Sequence, residues 1–378
     1  MKIGILTFHN AHNFGGCLQA YALKEFLKTQ GADVSVINYR NEKVFNLYPK
    51  KLKAKIIPYD FKHPNQLIKK IKLNRDYRFG RKEWMSQYKK FTRFIDDFIL
   101  EGNSVVVNKE DVSKLDIDVF VAGSDQIWNK QLSGGLDKIY LLNFDTRAKK
   151  VFYAASSGSD GIDEIDLKTF EDAFSKENKY VSVREPTLAN FIKQQYNREV
   201  LSAVDPCFLL TSNQYVNLFS LDRSNEKKQK KYLFAYFISE RNKRIREMVY
   251  VIANALGLEI IEFHYRKGKD LNKKYQTSDM GPEDFLKYIY NAEFVVTNSF
   301  HGTVFSILFK KQFYSVYDVD ARKTNLLEEI GLSKRHIKTF EDIDLNDTVN
   351  FDNVDLNKYS EKSRKFLTEM VREYGDLH

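Results

Sequence analysis

The stretch Lys2–Tyr39, KIGILTFHNAHNFGGCLQAYALKEFLKTQGADVSVINY, decides the fold class. Its first part, KIGILTF, is a compact apolar run that reads as a buried β-strand. HNAHNFGG follows as a loop in which Gly15 and Gly16 allow close backbone approach. Leu18, Tyr21, Ala22, Leu23, Phe26 and Leu27 then fall at helical spacing on one broad face, and Gly31 closes the helix. ADVSVINY is apolar and β-branched, as suits a strand buried on both faces. Strand, loop, helix and strand in this order make a right-handed βαβ unit, the opening of a doubly wound sheet.

The alternation continues along the chain. DIDVFVAGSD, KKVFYAASSG and KYVSVREP are apolar runs that end in small or polar residues, so they read as strands with loops at their C-terminal ends. REVLSAVDPCFLL closes this first set, and the polar TSNQYVNLFSLDRSNEKKQKK is a connection. A second set starts at YLFAYFIS and passes through the helix RNKRIREMVYVIANALGL, the strand EIIEFHY, the helix PEDFLKYIYNA, the strand EFVVTNS, the helix HGTVFSILFKK and the strand QFYSVY. Pro282 suits a first helical turn, where its missing N–H costs nothing. The expected organisation is a Rossmann-like domain over residues 1–210 with a basic helical insertion near 50–100, and a second over 228–340. A C-terminal helix over 355–375 is expected to pack back across the lobes. The fold class is therefore α/β, with two Rossmann-like lobes facing a central cleft, an architecture that resembles glycosyltransferases of the GT-B type. Ligands of such open sheets lie beyond the carboxyl ends of the strands.

Composition sets limits on function. At 378 residues the chain is too long for one ordinary core. Its 43% hydrophobic and 29% charged residues are those of a globular protein. No apolar run has the length of a bilayer span, and MKIGILTFHN lacks the parts of a signal peptide. Cys17 and Cys207 are too few for a disulfide framework. A cytoplasmic location is expected. The net charge of +9 is concentrated, since Lys50 to Arg93 holds fifteen Lys and Arg against three acids, interleaved with Tyr, Phe and Trp84. Nucleic acid, an anionic membrane surface, an anionic substrate, or plain solvation of a helix pair would each suit such a patch.

Four segments at strand ends carry candidate chemistry. In HNAHNFGG the start of the helix offers free N–H groups to an anion, or the loop is a tight turn with Asn13 as cap. In VAGSDQIWN (121–129) Asp125 follows an apolar run directly and reads as a general base or a ligand of hydroxyls; the alternative is an N-cap, with Trp128 as packing. VSVREP puts Arg184 at a strand end, as an anion clamp or as half of an Arg–Glu pair. In VVTNSFHGTVFS (295–306) His301 and Gly302 open a helix after a buried strand, so His301 reads as a general acid or phosphate donor, or as a satisfied core histidine. His9, His12, His264 and His336 lack ligand spacing, and no metal motif occurs, so no catalytic metal is expected.

Together and in this order, HNFGGCLQAYAL, VAGSDQIWN, VFYAASSG, VSVREP, DPCFLL and TNSFHGTVFSI resemble the polysaccharide pyruvyl transferase family over about residues 1–330. The resemblance implies transfer of pyruvate from phosphoenolpyruvate to a sugar of a cell-surface glycan, or its lipid-linked precursor, as a cyclic ketal. It implies His301 and Asp125 as catalytic residues. It places Arg184, Asn298, Ser299, Gly302, Gly15 and Gly16 at phosphoenolpyruvate, and Asn13, Ser124 and Gln126 at the acceptor. Phosphoenolpyruvate is then the donor, with no other cofactor and no nucleic acid partner, and the basic segment is expected to touch an anionic membrane surface. The family's S-R-L-H version has an Arg where this chain has Ser299, and a Leu where it has Phe300. Arg266 and Arg322 are the candidates to supply the missing cation. Two other readings stay open: a GT-B glycosyltransferase using a nucleotide sugar, and a non-catalytic glycan- or anion-binding homologue.

Overall fold

The computed structural model describes residues 1–51, 55–158, 162–222, 230–238, 243–263, 276–316 and 321–377. His264 and Arg266 lie outside them. In chain order the first elements are β1 (Lys2–Leu6), α1 (Phe14–Thr29), β2 (Asp33–Val36), α2 (Glu42–Asn46), α3 (Pro58–Phe61) and α4 (Pro64–Phe94). Next come β3 (Val119–Ala122), α5 (Lys130–Ser133), β4 (Lys149–Ala155), β5 (Val181–Val183), α6 (Pro186–Tyr196), β6 (Leu201–Ser202) and α7 (Ser212–Phe219). Then follow β7 (Tyr232–Tyr236), α8 (Lys243–Ala255), β8 (Glu259–Phe263), β9 (Gln276–Thr277), α9 (Pro282–Tyr290) and β10 (Phe294–Thr297). The last are α10 (Phe300–Leu308), β11 (Gln312–Val316), α11 (Ala321–Glu329), β12 (His336–Ile337) and α12 (Leu356–Gly375).

The chain divides into two compact units, each with its own parallel sheet. Unit 1 is Met1–Tyr48, Arg93–Thr211 and Asp355–His378; unit 2 is Pro49–Thr92 and Ser212–Val354. The fold class is α/β with two Rossmann-like units, as the alternating pattern indicates.

In unit 1 the strands run β2-β1-β3-β4-β5-β6, all parallel. The order reverses between β1 and β3, which makes that pair the switch point. VFVA of β3, a central strand paired with β1 and β4, is buried throughout, as suits a parallel sheet covered on both faces. Trp128 packs edge-on to Phe170 at 5.1 Å and close to Phe152 and Phe174, which anchors the loop after β3 to the core. Helix α12 belongs to this unit. Ser363 accepts from the Val204 N–H at 3.0 Å, Arg364 donates to the Phe208 carbonyl, and Phe366 lies against Tyr153 and Tyr180.

In unit 2 the strands run β12-β11-β10-β7-β8-β9, again all parallel. Counted from β7, that is the dinucleotide-fold order 3-2-1-4-5-6, with its switch point between β7 and β10. Pro282 takes the first position of α9, and Asp284 Oδ2 accepts from the Gly281 N–H at 2.9 Å.

The basic segment near 50–92 sorts with unit 2, although its position in the chain suggested an insertion in the first domain. The end of α4 explains this. Lys90 reaches Asp284 at 2.9 Å, Gln87 donates to the Met280 carbonyl, and a Cβ on Gly281 would lie only 2.6 Å from Lys90 Cβ. The earlier part of the segment leaves Phe61 69%, Ile68 62% and Phe79 64% exposed.

Candidate active-site residues at the two switch points

At the switch point of unit 1, the loop after β3 and the start of α1 come together. Asn13 caps α1 by accepting from the Gly16 N–H at 3.2 Å. A Cβ on Gly16 would meet Asp125 Oδ2 at 3.6 Å, so the Asp125 carboxylate sits beside the electropositive start of α1. Asp125 has a left-handed backbone (φ 67°), and its Oδ1 accepts from the Gln126 N–H at 2.8 Å. The preceding Gly123 has φ 124°, and a Cβ there would lie 2.1 Å from the Tyr153 carbonyl oxygen, so glycine is required.

Arg184, just beyond β5, is 7% exposed and surrounded by acids. Its Nη1 donates to Asp205 Oδ2 at 3.0 Å, its Nη2 lies 3.7 Å from Asp125 Oδ1, and its Nε lies 3.9 Å from Glu185 Oε1. Glu185 in turn accepts from the Ser156 hydroxyl, and Asp205 Oδ1 accepts from the Cys207 N–H. One guanidinium among three carboxylates leaves this edge with a formal charge of −2.

At the switch point of unit 2 the charge has the other sign. Asn298 follows β10, and its Oδ1 accepts from the Ile238 N–H at 2.9 Å, tying the end of β10 to the end of β7. Ser299 is the N-cap of α10 and accepts from the Gly302 N–H at 3.2 Å. Thr297 donates to the Tyr236 carbonyl and accepts from the Ser299 N–H. A Cβ on Gly302 would fall 2.4 Å from Thr297 Oγ1, so the first turn of α10 is seated directly on β10. His301 lies in that turn at 7% exposure, its ring 5.1 Å from Phe300. Two cations approach from α11. Lys323, wholly buried, donates to the Asn298 carbonyl at 2.8 Å, and the Arg322 guanidinium lies 5.2 Å from the centre of the Phe300 ring.

Several expectations change on this geometry. Ser124 was expected at the acceptor, but it is wholly buried and its hydroxyl donates to the Ala154 carbonyl at 3.1 Å. Arg184 was expected to clamp the donor, yet its guanidinium is already set among carboxylates. Gly15 and Gly16 were expected at the same anion, and α1 instead begins beside the Asp125 carboxylate. Asp125 is no N-cap, because the next helix starts at Lys130 with Asn129 as its cap. Asn13 and Gln126 remain half-buried beside Asp125. Asn298, Ser299 and Gly302 lie with His301, and Arg322 is the expected substitute cation that falls among the described residues.

A family model for polysaccharide pyruvyl transferase matches residues 13–318, most of the chain and both switch points. The chain belongs to the polysaccharide pyruvyl transferase family. No curated protein matches it. Among solved structures it is similar to the UDP-GlcNAc 2-epimerase from Neisseria meningitidis bound to UDP-GlcNAc, at 9% identity over 100% of both chains with a TM-score of 0.46. It is also similar to the E. coli heptosyltransferase WaaC with ADP, at 12% identity over 97% of this chain and 100% of that one, with a TM-score of 0.39.

In this pyruvyl transferase family member, sequence reasoning missed Ser156, Asp205 and Lys323, and had Glu185 only as the other half of an Arg–Glu pair. Glu185 and Asp205 had a signal, since REP and DPC were among the resembling motifs. Lys323 had none, being one Lys among many in the chain.

Proposed function

We propose that the protein transfers pyruvate from phosphoenolpyruvate to a sugar, forming a ketal that bridges two hydroxyls of a cell-surface glycan or its lipid-linked precursor. The family match over residues 13–318 carries this reading. The charge at the two switch points supports a division of labour. Phosphoenolpyruvate is an anion of about three charges near neutral pH, and such a ligand favours helix N-termini and cations. The edge of unit 2, with the start of α10, Arg322 and Lys323, suits the donor. The edge of unit 1, with its surplus of carboxylates, suits sugar hydroxyls and a base.

In the proposed reaction His301 delivers a proton to the methylene carbon of the donor, which becomes a methyl group. The adjacent carbon takes the oxygen of a first sugar hydroxyl, whose proton passes to Asp125. A second hydroxyl then displaces inorganic phosphate from that carbon and closes the ketal, its proton leaving with the phosphate. Exchange with solvent restores both residues. Arg184 acts as a positioning residue that holds Asp125, and Arg322 takes the part of the family Arg replaced by Ser299. The scheme calls on no metal and no other cofactor.

The acceptor's surroundings are part of the proposal. No helix among the described residues is long and apolar enough to cross a membrane. The segment 55–82 sets exposed Phe61, Ile68, Ile71 and Phe79 among Lys and Arg. That combination suits a cytoplasmic enzyme resting on an anionic lipid surface.

The test is a thermal-shift titration with phosphoenolpyruvate, run beside uridine-diphosphate sugars. A ligand at a hundred times its Kd stabilises by roughly 2.7 kcal/mol. The expected result is a shift with phosphoenolpyruvate that is lost in Arg322→Ala and kept in Asp125→Asn. A response to a nucleotide sugar alone would replace the proposal with a glycosyltransferase. Binding without phosphate release in the presence of acceptor glycans would favour a non-catalytic homologue.

A further inference from the structure

Helix α1 carries two wholly buried polar side chains, Gln19 and Lys24. Lys24 is explained by its surroundings, since its ammonium donates to the Phe98 carbonyl and meets Glu101 at 2.8 Å. Gln19 is satisfied only in part. Its Nε2 donates to the Thr7 hydroxyl at 2.9 Å and to the Gly16 carbonyl at 3.0 Å, but its Oε1 is buried with no hydrogen-bond partner among the described residues. A buried amide oxygen without a donor costs stability, and a leucine at this helical position would avoid that cost. The reason for a glutamine lies in what its two N–H groups hold.

Both lead to Asp125. Nε2 can only donate, so the Thr7 oxygen accepts from it, and the Thr7 hydroxyl proton goes to the Ser124 carbonyl 3.0 Å away. That carbonyl belongs to the peptide bond that leads into Asp125. The other N–H goes to Gly16, the residue whose Cβ position lies 3.6 Å from Asp125 Oδ2. One side-chain amide thus ties the loop that carries the carboxylate to the helix turn that faces it. Turned over, the amide would set Oε1 against the Gly16 carbonyl, so its orientation is fixed. Thr7, Gln19 and Ser124 are each 1% exposed or less, which keeps the relay out of reach of substrate. Asp125 itself has φ 67°, a backbone that a residue with a side chain holds only where its surroundings fix it.

We infer that Thr7 and Gln19 are positioning residues for Asp125, acting through the Ser124 carbonyl and the Gly16 turn. The inference deepens the proposed function and rests on it for the role of Asp125 as base.

Gln19→Leu and Thr7→Val test this in the full-length protein, with Thr7→Ser as the conservative variant. Gln19→Leu removes the unpartnered oxygen and leaves the Thr7 hydroxyl its bond to Ser124, so its melting temperature should equal or exceed the parent's. Phosphate release from phosphoenolpyruvate is measured with methyl glycosides of hexoses and hexosamines as acceptors. In Gln19→Leu kcat should fall by about tenfold or more, with the KM for phosphoenolpyruvate within about twofold of the parent's. Thr7→Val should lose kcat similarly, and Thr7→Ser should restore it. In an Asp125→Asn background Gln19→Leu should cost nothing further, because the group it positions is gone. Hydrogen exchange reads the loop without turnover. The Gln126 amide, which donates to Asp125 Oδ1, should exchange severalfold faster in Gln19→Leu and Thr7→Val, while the amides of β4 keep their protection. Parental kcat and parental exchange in Gln19→Leu overturn the inference and leave the pyruvyl transfer standing. A kcat that falls only in step with a lowered melting temperature also overturns it, as a purely structural role. If the parent releases no phosphate with any glycoside, transfer to such sugars is overturned, and the exchange rates alone decide whether Thr7 and Gln19 hold Asp125.

Discussion

Arg184 Nη1 and Asp205 Oδ2 are 3.0 Å apart, and both side chains are almost wholly buried, at 4% and 0% exposure. The pair joins the end of β5 to the segment after β6, and it places the guanidinium beside Asp125.

Removing Arg184 leaves Asp125, Glu185 and Asp205 facing one another without its guanidinium, and removing Asp205 takes away the buried carboxylate 3.0 Å from that guanidinium. Arg184→Ala or Asp205→Ala should cost about 3–5 kcal/mol of stability, read by denaturant melts. Arg184→Lys should recover little, because an ammonium is a point charge and cannot reach three carboxylates as the planar guanidinium does. If Arg184→Ala were as stable as the parent and simply lost the response to phosphoenolpyruvate, the donor clamp would be right after all.

His301→Ala should lower turnover by at least ~100-fold, the usual size of a general acid contribution, with the melting temperature little changed. Arg322→Ala should act mainly on the KM for phosphoenolpyruvate. A His301→Ala variant with near-parental turnover would remove the histidine from the mechanism.

Gly302→Ala tests how closely α10 is seated on β10. The added methyl would fall 2.4 Å from Thr297 Oγ1 and 3.0 Å from Thr297 Cβ. Relief requires the helix start to move, at a cost of about 1–3 kcal/mol, and His301 moves with it. Both stability and activity should fall; unchanged activity would show that the exact height of this turn does not matter.

Stability should decline on acidification in a particular window. Burial pushes His9 down from its ordinary 6.5, and pushes His12 down to about 4. Between 6.5 and about 4 the unfolded chain binds protons that the folded rings refuse, so this stability is complete above 6.5 and is lost as the pH falls. Urea melts from pH 7.5 to 4.5 read the slope, and His12→Asn should flatten it. An unaltered slope in that variant would assign the acid sensitivity to other groups.

Sedimentation with anionic vesicles tests the exposed apolar and basic face of residues 55–82. Binding should weaken with added salt and should drop severalfold in a Phe61→Ser, Ile68→Ser, Phe79→Ser triple variant. Equal sedimentation of the parent and the triple variant would leave the patch as a solvated surface.

The sequence made the strands and their ends legible because buried parallel strands leave apolar runs bounded by small and polar residues. VVTNSFHG therefore placed His301 at a strand end, and VAGSD did the same for Asp125. The setting of each residue was harder to read. Asp205 is 21 residues from Arg184 along the chain, and it becomes a neighbour only once β5 pairs with β6. Ser124 looked approachable between Gly123 and Asp125, yet its hydroxyl is turned inward to the Ala154 carbonyl. The membership of residues 49–92 in unit 2 depends on contacts such as Lys90 with Asp284, nearly two hundred positions apart, and local composition carries no trace of them.

Unit 1 is assembled from three separate lengths of chain, the last of which is Asp355–His378. During synthesis, β1 to β6 emerge long before the helix that covers them. Until α12 arrives, Tyr153 and Tyr180 lack Phe366, and the Val204 N–H lacks the Ser363 hydroxyl. Unit 2 has its main sheet from residues 232–337 and follows a different timetable. The unit made first is thus the one completed last, and a chain halted before residue 355 would offer a chaperone an open hydrophobic face on the very unit that holds Asp125.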